Sequence, residues 1–558
     1  MRLVDELKKR VRGEVDTSAD ALLKFSRDTS LFVVRPEVVV RPKDAEDIAS
    51  VVRLAASQKS TDPKSHVSIT ARSAGTDMSG GPLGDSIVLD MTAHLNALIE
   101  IKDDAAVVEP GMYFRDFDRE TQKQHLELPS YTASREINTV GGMAANNSGG
   151  EKNLKYGKTA RYVKSLDVVL ADGNVHTLSN LTGDALRAKL AEEGFEGELY
   201  RRVAALIKNH TDIIAAGKPQ VEKNSSGYAL WDIGDGVESL NLARLMVGAQ
   251  GTLGIITKIK FALVKPKPFA AMTVLFLDSI AELGPIVPQV LMSEPDSFES
   301  YDDNTFKLGI KYFPELAAQM KTSMVTLGLS FIPEAWMMLT GGVPKLVLLV
   351  EFRADTQDEA FEKAMDLADE IKQTQPHIGV RVAKNADAAK KYWAIRRESF
   401  NLLRKKVRGK RTAPFIDDFV VPPASMPEFL PKLQEILSHY DLMYTIAGHV
   451  GDGNFHIIPL MDPKLPDAGK IIDELSHKVY DLVLSYHGSI TGEHNDGLVR
   501  TPYVQQMFGR EMYALFVQIK QIFDPFNIFN PGKKVGLTYS DAFAKLDLPS
   551  VRTTNEIK

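Results

Sequence analysis

Two histidines seven residues apart flank an Asp-Gly pair in AGHVGDGNFHIIPL (447–460). Asp452-Gly453 between short apolar runs is a strong signal for a tight type I′ hairpin. Counting outward from that turn sets Gly451 against Asn454, Val450 against Phe455 and His449 against His456. Directly opposed residues have Cβ atoms roughly 5 Å apart on one face of a sheet, so two imidazoles could share one metal ion. Zinc or a similar borderline ion suits nitrogen ligands plus a carboxylate. SITGEHNDG (489–497) offers that carboxylate: Glu493 and His494 are adjacent between Gly492 and Gly497, and in a turn both could line one cleft. The alternative, two histidines stacked across a strand pair with no ion, is equally compatible with these residues. KYWAIRRESF (391–400) reads as a helix carrying Trp393 and two arginines. Guanidinium offers a carboxylate substrate two parallel hydrogen bonds, whereas the competing reading is a surface salt bridge.

Three further segments are rich in small residues. ARSAGTDMSGGPLG (71–84) lies between two predicted strands rather than running from strand into helix. That excludes the dinucleotide fingerprint and the P-loop, which need a helix N-terminus behind the glycines. A strand-to-strand loop can instead aim successive backbone N–H groups at an anion. Gly75, Gly80 and Gly81 would admit a pyrophosphate closely, with Ser73, Thr76 and Ser79 as hydroxyl donors. TVGGMAANNSGG (139–150) and LMVGAQGTLGIIT (245–257) are the second and third such loops. One alone would read as a mobile surface turn. Three in one region are economical if a single large, flat, phosphate-bearing cofactor lies across them.

The elements that must position these groups follow from periodicity. Short β-rich runs occur at 66–70, 86–91, 105–111, 165–173 and 255–264, and Asp44 caps an amphipathic helix with Ile48, Val51, Val52 and Ala55 on one face. KPKPF (265–269) cannot continue a sheet interior and marks a boundary. Beyond it, strand KLVLLVEF (345–352), helix 358–373 and strand HIGVRVA (377–383) predict an α+β unit with helices on one side of an antiparallel sheet. The last 60 residues read as helical, ending in FDPFNIFNPGK.

With 558 residues the chain is too long for one core. A net charge of −6 gives no reason to expect nucleic acid as a partner. The absence of cysteine excludes cysteine-ligated clusters and disulfides within this sequence. The N-terminus has no apolar leader-like run, and no stretch reaches the ~18 apolar residues of a membrane span. The richest, Met320 to Leu339, is interrupted by Lys321, Pro333 and Glu334. A cytoplasmic protein, or one peripheral at the inner face of the membrane, is expected. Met320, Met324, Trp336, Met337 and Met338 read as helix core in preference to a lid or quinone-access patch.

The three small-residue segments, KNSSGYAL (223–230), GHVGDGNFH, GEH and the terminal NPGK, taken in order, resemble the vanillyl-alcohol oxidase (PCMH-type FAD-binding) superfamily, in the branch of D-lactate, glycolate and D-2-hydroxyglutarate dehydrogenases. The likeness runs from about Val33 to Gly536. It implies an α+β fold: an N-terminal helical segment (1–32), a two-subdomain PCMH-type FAD-binding domain (33–267), a ferredoxin-like substrate cap (268–490) and a C-terminal segment returning to the flavin (491–558). It assigns Arg72, Ser73, Gly75, Thr76, Ser79 and Gly80 to the FAD pyrophosphate. Gly141, Gly142, Ala145, Asn146 and Ser148 fall along the ribityl and isoalloxazine, and Gly251, Thr252 and Ile256 near the adenine. Asn530 reaches back to the flavin. No histidine occurs in the first two loops, so FAD is expected to be non-covalent. The same likeness makes His449, His456 and Glu493 ligands of a divalent metal, Zn or Mn, His494 the general base and, through a W-x-x-R pattern, Arg396 the carboxylate clamp.

Two departures bear on substrate. The usual Gly-Ile-Gly after GEH is Asn495-Asp496-Gly497 here, a form more like a branch often fused to iron–sulfur domains; Asp496 would orient a histidine or cap the following helix. Where 2-hydroxyglutarate enzymes resemble one another in a lysine, this chain has Ile416, and KKVRGKRT (405–412), with Lys410 and Arg411, reads as a solvated basic loop. The expected activity is oxidation of a D-2-hydroxy acid, with electrons passed to an external acceptor: a quinone, an electron-transfer flavoprotein, a cytochrome or an iron–sulfur partner. A homodimer is compatible with the sequence. The alternatives are a flavoprotein subunit of an iron–sulfur complex and a non-redox flavoenzyme like alkylglycerone-phosphate synthase, although the histidine run of the latter is missing.

Overall fold

The computed structural model describes residues 3–312, 342–406 and 409–548, with isolated positions between 313 and 341; for 398–406 only the backbone is described. The methionine-rich segment and its tryptophan lie outside the described residues.

Among the described residues the chain builds three principal sheets. β1 (Glu14–Asp16), β2 (Val38–Arg41), β3 (Ile69–Arg72) and β4 (Ile87–Asp90) form the first, in the order β1-β2-β4-β3. β3 and β4 are parallel, yet residues 73–86 join them without a helix. Asp44 caps helix Ala45–Thr61 as expected, its carboxylate accepting from the N–H groups of Glu46 and Asp47, and Ile48, Val51, Val52 and Ala55 are buried under the sheet. β5 (Leu98–Lys102), β6 (Ala105–Val108), β7 (Val163–Val169), β8 (Val175–Thr182), β9 (Ser239–Asn241) and β10 (Ile255–Ala262) form a second sheet, ordered β5-β6-β10-β7-β8-β9.

The third sheet contains β11 (Phe269–Leu277), β12 (Ser297–Asp302), β13 (Leu346–Ala354) and β14 (Gly379–Ala383). Its order begins β14-β11-β13-β12, every pair antiparallel. Helix Leu283–Met292 connects β11 to β12 and helix Gln357–Thr374 connects β13 to β14, each crossing over one strand, which is the ferredoxin-like arrangement. β16 (Phe419–Val420), β17 (Ile446–His449) and β18 (Asn454–Ile457) extend it, while β15 (Arg411–Thr412) pairs with β19 (Leu460–Met461) alongside. The expectation of helices on one side needs correction. Ala271, Leu275, Leu348 and Val350 pack against helices Leu283–Met292 and Gln357–Thr374. Met272, Val274, Val347 and Leu349 pack on the other face with Phe306, Tyr392 and Trp393. The physical reason is legible in β11 and β13, which are apolar at nearly every position rather than at alternate ones; such strands must be covered on both faces. This second layer places helix Ala386–Lys406 against β11 and β14, from where Arg396 reaches Glu299 of β12 and Trp393 reaches Glu351 of β13.

The histidine hairpin also differs from expectation. Val450–Asp452 forms a 3-10 turn closed by Gly453 at φ +70°, so the loop is longer than a two-residue turn. His449 pairs with Asn454, and His456 pairs with Ala447. The register is shifted by two residues. Because strand side chains alternate with period two, a two-residue shift keeps both histidines on one face, where a one-residue slip would have separated them. They become diagonal neighbours with ring centroids 5.3 Å apart, edge to face. The longer turn arises because Val421 holds Gly453: its N–H donates to the Gly453 carbonyl, and a Cβ on Gly453 would lie 1.9 Å from the Val421 oxygen.

Candidate active site

The small-residue segments meet in one open cleft of about 1370 Å³ of empty space, solvent mouth included. Ser73, Gly75, Thr76, Gly141, Gly142, Ala145, Asn146, Ser148, Gly251 and Ile256 line it, and so do Glu493 and His494. Among the described residues no acceptor pairs with the backbone N–H groups of residues 74–78. Five successive unpaired donors on a loop whose Gly75 sits at φ +74° make a cradle for a pyrophosphate. The residues present therefore fit FAD.

The second segment is partly helical, a correction to its reading as a loop. Thr139 accepts from the Gly142 N–H and caps helix Val140–Asn146. A Cβ on Gly141 would fall 2.4 Å from Cβ of Pro110 and 2.5 Å from its carbonyl oxygen, so glycine is what lets the helix lie against residue 110. Gly141→Ala is expected to push the helix into the cleft and weaken FAD binding by about tenfold or more, about 1.4 kcal/mol. The ratio of flavin to protein absorbance after dialysis reads this directly; an unchanged ratio would show that the helix yields without touching the cofactor.

The other proposed cofactor residues stand behind the cleft wall. Arg72 is buried, donates to the carbonyls of Phe25 and Arg27, and lies over the Phe25 ring. Ser79 and the N–H of Gly81 bond to Asp77, and the N–H of Gly80 bonds to Asp28. Burial and the Asp77 charge push Asp28 up to about 7. Thr252 bonds to Tyr228 and to the Ala249 carbonyl. Asn530 donates to the carbonyls of Gly81 and Gln250, tying the first segment to the third. Sequence reasoning missed Thr132, Ser134 and Asn138 on the cleft wall, and Gln250, which receives the Gly497 N–H and donates to Asn146 and Ser79. The polar run before Thr139 was their only signal.

At one end of the cleft three histidines converge on one oxygen. Glu493 Oε1 lies 3.4 Å from His449 Nε2, 3.3 Å from His456 Nε2 and 3.8 Å from His494 Nε2. Each Nδ1 faces a second carboxylate: Glu299 at 2.6 Å for His449, Asp417 at 3.2 Å for His456 and 2.7 Å for His494. Carboxylates behind imidazoles fix ring orientation and leave Nε2 as the free ligand atom. Ligand atoms of Asp418, His456, Glu493 and His494 lie within 4.8 Å of one another, but Asp418 is already spent. Its carboxylate accepts from Asn454, Thr491 and the N–H groups of Glu493 and His494. It anchors the turn, while His449 Nε2, outside that group of four, lies 3.4 Å from Glu493 Oε1. Four buried carboxylates around three imidazoles suit a divalent cation.

The electrostatics agree. Burial opposes the charged ring, yet the hydrogen bonds to Asp417 and Glu493 hold His456 up at about 10. His449 and His494 are also raised, against burial, by Glu299 and by the two aspartates respectively. Glu493 lies well below its ordinary value because Lys223 and His449 outweigh its burial. Lys223, fully buried with Nζ 2.8 Å from Glu493 Oε2, was not singled out from the sequence. Burial and Lys223 lower Lys158 to about 7.

Arg396 reaches the same cluster, with Nη2 3.2 Å from Glu299 Oε2 while its buried Nε has no hydrogen-bond partner. Arg397 turns away, onto Glu151 and the face of Trp393. Asp496 orients no histidine; it stands at the N-cap position of helix Gly497–Arg500, but its side chain makes no capping bond. It pairs with buried Lys534 at 3.0 Å and accepts from Ser226 and the Gly227 N–H. Asn495 donates to the carbonyls of Asn146 and Gly248. The Asn-Asp pair thus ties the Glu493–His494 turn to residues 146 and 248 through Asn495 and to residues 226, 227 and 534 through Asp496. Arg411 is bound to Asp547 at 2.6 Å and does not join the site.

The cleft lined by the three small-residue segments thus opens beside the histidine–carboxylate cluster. Residues 36–179 match the FAD binding domain and residues 267–534 the FAD linked oxidases, C-terminal domain; the chain belongs to the FAD-linked oxidases. It is 27% identical over 540 residues to D-2-hydroxyglutarate dehydrogenase of Pseudomonas putida, covering 94% of this chain and 50% of that one. The chain thus spans about half the length of the first curated relatives it matches. It is 28% identical to D-lactate dehydrogenase of Archaeoglobus fulgidus, covering 96% of this chain and 99% of that one. It is 27% identical to glycolate oxidase subunit GlcD of Bacillus subtilis, covering 93% of each. Among solved structures, p-cresol methylhydroxylase shares the fold at a TM-score of 0.66 and 18% identity, covering 95% of this chain and 96% of that one. Alkyldihydroxyacetonephosphate synthase does so at 0.67 and 15%, covering 95% and 85%. No helix among the described residues is long and apolar enough to cross a membrane.

Proposed function

We propose that this protein is an FAD-dependent dehydrogenase that oxidises a D-2-hydroxy acid to the 2-oxo acid. The observation that carries the reading is the set of three Nε2 atoms around Glu493 Oε1 at the end of the flavin cleft, with His494 on the cleft wall. His494 is also the most exposed of the three, as a group that touches substrate must be.

Non-covalent FAD supplies the two-electron acceptor; among the described cleft residues His494 is the sole histidine, and no cysteine exists to form a link. A divalent cation, Zn or Mn, held by His449, His456 and Glu493, would lower the pKa of the substrate hydroxyl and, by its charge, favour neutral His494. The rest is the chain's own work. Arg396 receives the substrate carboxylate on its unpartnered Nε edge. His494 takes the hydroxyl proton while the α-hydrogen leaves with its bonding pair. Asp417, behind His494, stabilises the resulting imidazolium. Lys223 keeps Glu493 ionised from the side away from the histidines. Electrons then pass to an external acceptor.

The visible spectrum of the purified protein, followed anaerobically with D- and L-2-hydroxy acids and with or without chelator, tests this. Bleaching by a D-acid, abolished by the chelator, is expected. A flavin that no hydroxy acid bleaches would keep the cofactor and discard the substrate class.

A further inference from the structure

Glu299 lies in the middle of β12, a strand buried along its whole length, and is itself almost inaccessible. A carboxylate there is costly unless both oxygens are engaged by charged donors. Both are, and by different parts of the site. Oε1 meets His449 Nδ1 at 2.6 Å, and His449 belongs to β17, the neighbouring strand. Oε2 meets Arg396 Nη2 at 3.2 Å, and Arg396 belongs to helix Ala386–Lys406, which crosses that sheet face. The helix is docked by a second carboxylate of the same face: Trp393 donates to Glu351 at 3.0 Å, and Glu351 is opposite Ser297 on the adjoining strand. Trp393 and Arg396, one helical turn apart, therefore each rest on a sheet glutamate.

We propose that Glu299 is a positioning residue shared by the cation ligand and the substrate clamp, and that it couples their two occupancies. Its first oxygen holds His449 with Nε2 toward Glu493. Its second holds Arg396 by one edge, leaving Nε for a substrate carboxylate. A cation drawing on His449 polarises the His449–Glu299 hydrogen bond, which alters the charge Glu299 offers Arg396; a carboxylate on Arg396 acts in the reverse direction, as linkage requires. The proposal rests on the functional reading above.

The test uses the FAD-loaded protein stripped of metal, with Mn²⁺ and pyruvate as probes. Free Mn²⁺ is followed by its electron paramagnetic resonance signal, and pyruvate binding by the shift it causes in the oxidised flavin spectrum. For the wild type, Mn²⁺ is expected to bind and to tighten pyruvate binding severalfold. If the wild type binds neither probe, the functional reading fails and the proposal goes with it. If it binds both, Glu299→Gln decides the proposal alone. That variant is expected to weaken Mn²⁺ about tenfold or more and to bring pyruvate binding with and without Mn²⁺ within twofold, at unchanged flavin content. Mn²⁺ affinity and coupling within twofold of wild type would overturn it. If Glu299→Gln does not fold, Glu299→Asp retains the charge but is one methylene too short to reach both partners; the same losses are expected, and wild-type binding and coupling in that variant would refute the shared role.

Discussion

His494→Ala should yield a folded, yellow protein whose flavin is no longer reduced by the hydroxy acid. The His494 side chain is partly open to the cleft, so its removal leaves no sealed cavity. Its backbone N–H still donates to Asp418, so the turn is kept. Loss of a general base costs roughly 10²- to 10⁴-fold, and anaerobic stopped-flow absorbance of the flavin measures it. The Mn²⁺ affinity of the same variant should change little, because His449, His456 and Glu493 remain. Flavin reduction at the wild-type rate would remove His494 from the mechanism, and loss of Mn²⁺ binding in its place would make it a ligand.

The second large effect is expected at Glu493, the one oxygen-bearing residue on which the three imidazoles converge. Glu493→Gln should abolish detectable metal binding and substrate-driven bleaching. It should also destabilise the metal-free protein by about 3 kcal/mol, because buried Lys223 would lose its 2.8 Å partner and keep only Asp452, 4.0 Å away. Adding Lys223→Met removes that charge and should restore thermal stability without restoring metal. Recovery of bleaching in the double variant would sink the ligand assignment.

The pH behaviour of the metal-free wild type follows from the same contacts. His456 has its folded value raised from 6.5 to about 10. Its contribution to stability is therefore full below its ordinary value and lost as pH rises through about 10. A bound cation must first displace that proton, so apparent Mn²⁺ affinity should climb between pH 6.5 and 10, by up to tenfold per unit for one proton released. Calorimetry in buffers of different ionisation enthalpy counts the protons; a pH-independent affinity would contradict the arrangement.

Much of the molecule was legible in order along the chain. Small residues at 71–84, 139–150 and 245–257 report where the backbone must approach a ligand, because only a missing side chain permits it. The apolar stripe after Asp44 and the strand runs of the third sheet appeared where periodicity put them. The GHVGDGNFH and GEH segments carry their chemistry in residue type, and their histidines and glutamate do meet. Two local readings failed because the decisive contact is distant in sequence. The Asp452-Gly453 turn is set by Val421, and the helix in the second small-residue segment lies against Pro110, whose carbonyl accepts from the Gly141 N–H.

What the sequence determined by itself was the inventory: a flavin-cleft set of small residues, imidazoles and a carboxylate able to share a cation, and an arginine able to hold an acid. What only the tertiary structure decided was the wiring. Glu299, Asp417, Asp418 and Lys223 look like ordinary charged residues in the sequence, far from the histidines they serve. Each is drawn into the site by burial, which removes water and leaves it to the partners the fold supplies: His449 and Arg396 for Glu299, His456 and His494 for Asp417, the backbone N–H groups of residues 493 and 494 for Asp418, and Glu493 for Lys223. Residue type and spacing encode local geometry, but the energy of a buried charge depends on which charges the fold brings beside it, and no local pattern records that.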